Sequence, residues 1–150
     1  MLSAPYPPSL DSLYPTVNGR RILSKKGKEY KEELGWIVRK ELPGLQVIPK
    51  PNKLFCILDI YLPDRRIRDI DNVVKIVYDA LTMIVYEDDV QIHTALQRKH
   101  PVGSDGSYLG RGSLSLIVGL ESTFEQYLLE MDTNFHFQGK LVRGVEPLTC

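Results

Sequence analysis

The spacing of apolar residues changes period several times along the chain, and each change marks an element. From Ser24 to about Lys40, Tyr30, Leu34, Ile37 and Val38 recur at helical intervals, with Ser24 as N-cap and Pro43-Gly44 as the stop. Leu54 to Leu62 is an unbroken β-branched and aromatic run, which predicts a largely buried strand. A helix is predicted from Asp71-Asn72 to about Thr82, with Val73, Val77, Ala80, Leu81 and Ile84 on one stripe. Val90, Ile92, Thr94 and Leu96 then alternate with Gln91, His93 and Gln97, which predicts a half-buried strand over about 90–98. Residues 101–112 are rich in Gly and Ser and are expected to form a flexible loop. Leu114–Leu120 should form a further strand, and Phe124, Tyr127, Leu128 and Met131 a short amphipathic helix. Pro5, Pro7, Pro8 and Pro15 forbid a continuous helix at the start, so residues 1–19 are expected to form an irregular arm with a turn at Asn18-Gly19. Strands and helices mix without strict alternation. The expected fold class is therefore α+β: one domain, a single mixed sheet packed with two main helices.

Composition adds limits. A chain of 150 residues with 43% hydrophobic and 25% charged residues suits one globular domain. No apolar run approaches the roughly 20 residues that span a bilayer, and Met1–Pro8 has no secretory-signal pattern. Cys56 and Cys150 have no partners at metal-ligand spacing and are expected to be free thiols, which argues against zinc and for a reducing, cytoplasmic setting. The glycines of 101–112 form no phosphate-cradling or dinucleotide motif, so no small-molecule cofactor is expected. His93, His100 and His136 lack metal spacing and are expected at the surface, whereas Trp36, Tyr30 and Ile37 are expected to pack the core.

The net charge is zero but unevenly spread. Residues 20–75 carry fourteen basic against eight acidic side chains, whereas residues 121–150 carry two against five. A basic body with an acidic tail is compatible with phosphate binding. The chemistry concentrates between Asp64 and Asp89. Arg65, Arg66 and Arg68 precede an Asp-x-Asp pair, Asp69 and Asp71; Lys75 follows one helical turn later, and Asp88-Asp89 stand before a strand. If the chain is extended just ahead of the helix, Asp69 and Asp71 point the same way with Ile70 turned to the core. Paired carboxylates repel unless a cation lies between them, and Mg²⁺ takes oxygen ligands. Lys75, on the Asp71 face of the helix, is placed to neutralise a phosphate. Taken singly, these residues also suit plainer roles: caps, turn residues, or a surface ladder of Asp71, Lys75 and Asp79.

The run PDRRIRDIDNVVKIVYDALTMIVYEDDVQI, Pro63 to Ile92, resembles the RusA family of Holliday-junction resolvases. The shared pattern is an arginine-rich approach, Asp-x-Asp-Asn, a lysine four residues after the second Asp, Asp-Ala-Leu, and Asp-Asp before a strand. PYPPSLDSLY (Pro5–Tyr14) and GRRILSKKGKEY (Gly19–Tyr30) are similar to the family's opening. The resemblance implies a homodimeric, Mg²⁺-dependent nuclease acting on branched DNA, with Mn²⁺ as a substitute. It implies catalytic roles for Asp69, Asp71, Asp89 and Lys75, and metal binding by Asp69, Asp71 and Asp89 with Asp88 in support. It also implies a DNA-facing surface of Arg65, Arg66, Arg68, Lys25, Lys26 and Lys28. It extends over about residues 5–120, so 1–120 is expected to be the nuclease domain and 121–150 an extension. Two positions depart from the pattern: Asp11, where Asn is frequent, and Met83, where many members have Gly. The readings to be separated from it are a non-catalytic binder of branched DNA, a nuclease for flaps or forks, and a structural Ca²⁺-binding protein.

Overall fold

The structure is a computed structural model, and it describes residues 2–8, 13–104 and 111–134. Asp11, Tyr108, His136 and Cys150 lie outside the described residues. A four-stranded sheet is built from β1 (Leu2–Pro5), β4 (Leu54–Tyr61), β5 (Ile92–His100) and β6 (Ser113–Leu120), in the order β1-β6-β4-β5. β4 and β5 are parallel; the other pairs are antiparallel. The sheet is therefore mixed, as expected. A parallel neighbour requires a crossover, and α2 (Asp71–Leu81) supplies it between β4 and β5. The described α-helices are α1 (Lys25–Glu41), α2 and α3 (Phe124–Asn134), the last as long as α2 at 11 residues.

α1 begins where Ser24 accepts a hydrogen bond from the Gly27 amide, and ends just before Pro43-Gly44. It buries Tyr30, Leu34 and Val38, one turn apart, against the sheet face formed by Leu54, Cys56, Leu58 and Ile60. α2 buries Val73, Val74, Ile76, Val77, Ala80 and Leu81 in the same core. Its burial is broader than a single stripe, and α1 also packs against it; β4 is covered on both sides, so every residue from Leu54 to Ile60 is buried. On the opposite sheet face, Phe55 meets Phe124 and Tyr127 of α3, with ring centroids 5.1 and 5.6 Å away. Beside them Asp59 accepts two hydrogen bonds from Arg98 and lies 2.6 Å from His100 Nε2.

The Asn18-Gly19 turn, the buried Tyr30 and the free Cys56 stand as expected, and other expectations are corrected. The arm is not irregular: Leu2–Pro5 pairs with β6, where a proline is tolerated at the end of an edge strand. Thr16–Val17 (β2) and Arg20–Arg21 (β3) form a hairpin whose central Asn18 and Gly19 both have positive φ, at 51° and 73°, as a two-residue hairpin turn requires. Trp36 is 62% exposed, with the Lys40 ammonium over its ring, while Tyr30 is buried and Ile37 half-buried. The strand begins at Ile92, because Asp89–Gln91 forms a 3₁₀ turn that leaves Val90 exposed and buries Gln91. His100 is half-buried in the Asp59 cluster and stacks on Tyr61. Cys56 is free and buried, and burial pushes its thiol up to about 12. No described helix is long and apolar enough to cross a membrane.

Candidate nuclease site

The approach to the Asp-x-Asp pair is a closed loop. The Asp64 carboxylate accepts from the Arg66 amide at 2.9 Å and grips the Arg68 guanidinium through both oxygens. These bonds hold the Asp64 carboxyl down at about 2, the Arg68 side chain contributing most. Lys99 Nζ donates to the Arg68 carbonyl at 2.9 Å, and the guanidinium lies over the Tyr6 ring. Arg68, which sequence similarity assigns to the DNA-facing set, thus has its side chain engaged within the protein and only 24% exposed. Arg65, Arg66, Ile67 and Asp69 are exposed. Lys25, Lys26 and Lys28 are exposed in the first turn of α1, which carries no acidic residue. Cations there work against the helix dipole, and of the three only Lys25 has an ion pair among the described residues, to Glu29 one turn on at 3.7 Å.

Ile70 is half-buried against the core, as expected, but its backbone is not extended. With φ −63° and ψ −37° it is helical, and its carbonyl already accepts the Val74 amide. Asp69 and Asp71 therefore do not project in parallel by strand alternation, because the residue between them is helical. Asp71 opens α2, where a carboxylate suits the positive end of the helix. One turn on, Lys75 Nζ lies 3.8 Å from Asp79. Asp79 in turn accepts a 2.8 Å hydrogen bond from the Tyr14 hydroxyl.

The second acidic pair is held by its own network. Asp88 caps the 3₁₀ turn by accepting from the Val90 amide, and its other oxygen is 2.6 Å from Lys50 Nζ. The bond from Lys50 is the main reason that the Asp88 carboxyl lies below its ordinary value. Gln91 closes the turn: its Oε1 accepts the Asp88 amide, and its Nε2 donates to the carbonyls of Ile48, Pro49 and Asn52. Asp89 behaves oppositely to Asp88. Burial raises its carboxyl, the neighbouring Asp88 and Asp79 raise it further, and Lys75 opposes them.

The structure thus brings Lys75, Asp79, Asp88 and Asp89 into one electrostatic neighbourhood. Asp69 and Asp71 stand at the opposite end of α2; the eight residues from Asp71 to Asp79 advance about 12 Å along the axis. Among the described residues, no three His, Cys, Asp or Glu side chains are grouped closely enough to form a ready-made metal cage. Mg²⁺ seldom uses one: it binds through one or two carboxylates and completes its shell with water and substrate phosphate. Asp69 and Asp71 offer exposed carboxylate oxygens, and Asp89, whose carboxyl is raised by burial and by the neighbouring Asp88 and Asp79, carries a charge that a hard divalent cation would relieve. The donor chemistry therefore fits such an ion.

Sequence reasoning missed Asp79, Tyr14, Gln91 and Lys50 as parts of this network. Asp79 was visible as the third member of the Asp71–Lys75 ladder, but Tyr14 is 65 residues away and carries no local signal. Gln91 falls at an outward position of the expected strand, and only the 3₁₀ turn reverses its direction. Met83 adopts φ 62°, the left-handed conformation that glycine accepts without steric cost, so the position suits glycine and nothing in the structure explains the methionine.

A sequence model of the endodeoxyribonuclease RusA family matches residues 5–106. The crossover junction endodeoxyribonuclease RusA of Escherichia coli K12 is 31% identical over 107 residues, which cover 70% of this chain and 86% of the relative. The enzymes of the same name from Enterobacteria phage 82 and Shigella sonnei share the same identity and coverage. The match ends before β6, which lies between β1 and β4 and so completes the sheet. The arginine-rich loop, the Asp-x-Asp pair, Lys75 and the Asp88-Asp89 turn all lie within the matched region: the chain belongs to the RusA endodeoxyribonuclease family.

Proposed function

We propose that this protein is a Mg²⁺-dependent endonuclease that resolves Holliday junctions by paired, symmetric cuts during DNA recombination and repair. The observation that carries the reading is the exposed pair Asp69 and Asp71, with Ile70 between them turned to the core. It is set between a rigid loop of exposed arginines and Lys75 on α2, with the Asp88-Asp89 turn at that helix's other end. Asp69 and Asp71 at one end of α2, and Asp89 supported by Asp88 at the other, would hold one or two such ions whose shells water and substrate phosphate complete; Mn²⁺ would substitute. Bound there, the ion supplies an activated water and neutralises charge on the phosphate.

The chain's own residues do the rest. Lys75 donates to a non-bridging oxygen of the scissile phosphate as negative charge builds there. Asp79 holds the Lys75 ammonium in place between turnovers. Arg65, Arg66 and the lysines Lys25, Lys26 and Lys28 contact flanking phosphates and set the register of the DNA. Arg68 braces the loop through Asp64. A homodimer presents two such sites to opposing strands, which makes the cuts symmetric. Residues 1–120 form the nuclease domain, and 121–150 are an extension that begins by packing α3 on the sheet. The protein acts in the cytoplasm of a bacterium or phage-infected host.

The test is Asp71→Asn. It removes one anionic ligand and changes nothing buried, so four-way-junction binding should remain within about twofold while cutting falls at least about a hundredfold. Cutting at the wild-type rate would contradict the assignment.

A further inference from the structure

Ile67 is 99% exposed, the most exposed of the large apolar side chains described. Single exposed apolar residues are common on protein surfaces, but this one sits in an unusual frame. The loop that carries it is not slack. Asp64 ties together the Arg66 amide and the Arg68 guanidinium, Lys99 fixes the Arg68 carbonyl, and Tyr6 lies against Arg68. Every residue flanking Ile67 is thus anchored through backbone or side chain, and Ile67 is the tip that these bonds present to solvent. Arg65 and Arg66 precede it, both exposed, and the exposed Asp69 follows two residues later.

Cations beside a rigid apolar tip match what a strained nucleic-acid step requires. Arginines grip the phosphates on either side, and an aliphatic side chain replaces the stacking lost when two bases part. Continuous duplex resists this, because each step is stacked on both sides. Bases at a branch point have already lost one neighbour and part at lower cost.

We infer that Ile67 is a wedge that enters the base stack at the branch point of the DNA, beside the phosphate to be cut, and that it supplies preference for branched over linear DNA. The inference rests on the junction-nuclease reading and adds to it a residue that selects the substrate's shape. It also assigns different work to neighbouring residues: Arg65 and Arg66 bind any DNA, and Ile67 discriminates.

The experiment uses the full-length chain and a synthetic four-way junction with 2-aminopurine at the branch point, beside a linear duplex of matching sequence. Binding is measured with chelator present, and cutting with Mg²⁺. Wild type should raise the 2-aminopurine fluorescence on binding the junction, and Ile67→Ser should not. Ile67→Ser should bind duplex within about twofold of wild type while its junction preference falls about tenfold; Ile67→Met should keep both signals. A fully exposed side chain can be replaced without unfolding the protein, and an unchanged melting temperature checks this. Equal fluorescence and equal junction preference in Ile67→Ser would overturn the wedge, as would wild type binding with no fluorescence change. If wild type cuts junctions but Ile67→Ser behaves identically, only the wedge fails; if wild type cuts none, the junction-nuclease reading fails and the wedge with it.

Discussion

At the scale of single residues, two aspartates eight positions apart on α2 have different surroundings. Asp71 is exposed at the helix start, whereas Asp79 is half-buried and bonded to Tyr14 with Lys75 nearby. Asp79→Asn keeps the size and the Tyr14 contact but removes the charge that holds the ammonium. Lys75 then loses its resting place, and the carboxylate crowding at Asp89 is relieved. The expected result is a drop in kcat of about ten- to a hundredfold, with KM for the junction changed less than about threefold. Rapid-quench cleavage under single-turnover conditions measures it, and an unchanged kcat would make Asp79 a surface residue. The residue identities of the proposed site were legible from the sequence, because Asp-x-Asp, Lys75 and Asp88-Asp89 are close in the chain and their spacing carries the pattern. What holds them was not. Tyr14–Asp79, Lys50–Asp88 and Lys99–Arg68 join residues 31 to 65 positions apart, and hydrogen bonds from a side chain to a distant side chain or carbonyl leave no periodicity to read.

At the scale of elements, the turn carrying Asp88 and Asp89 depends on Gln91. Its amide satisfies three backbone carbonyls of the 48–52 segment and receives the Asp88 amide in return. Gln91→Leu fills the buried position but leaves these partly buried groups without their partner. It should cost about 2–3 kcal/mol of stability and loosen the acidic turn. Chemical denaturation would show the loss, and hydrogen exchange at the Asp88 amide would show the loosening; a change under about 0.5 kcal/mol would contradict it. The long helices were legible because burial imposes a period over ten or more residues, and the central strand because burial on both faces leaves an unbroken apolar run. The short pieces were not. β1 spans four residues and is a strand only because β6 stands beside it, and the 3₁₀ turn at Asp89–Gln91 spans too few residues to show a period. The extended reading of Asp69–Asp71 failed for a related reason: α2 propagates its helical geometry back to Ile70, whose carbonyl accepts the Val74 amide.

At the scale of the whole molecule, the sheet's two faces have different chemistry. One face is the apolar core; the other carries Asp59 between Arg98 and His100, beneath α3. Burial alone would raise the Asp59 carboxyl, but the hydrogen bonds from Arg98 and His100 outweigh it and hold it below its ordinary value. Its contribution to stability is therefore complete above the unfolded-state value of about 3.9 and is lost as pH falls through the lower folded-state value. Asp59→Asn should cost about 2–3 kcal/mol at neutral pH, discounted for the partial exposure of Arg98, and should flatten the fall in melting temperature below about pH 4. An unchanged acid limb would remove Asp59 from the account.

The account's central claim is that this arrangement cuts branched DNA with a divalent ion. The most direct measurement is cleavage of a four-way junction labelled on each strand in turn, with Mg²⁺ and with chelator, alongside a flap and a fork. The claim predicts nicks at matching positions on two opposing strands of the junction, dependent on Mg²⁺ and faster than on flap or fork. Tight junction binding without nicks at any Mg²⁺ concentration would contradict it.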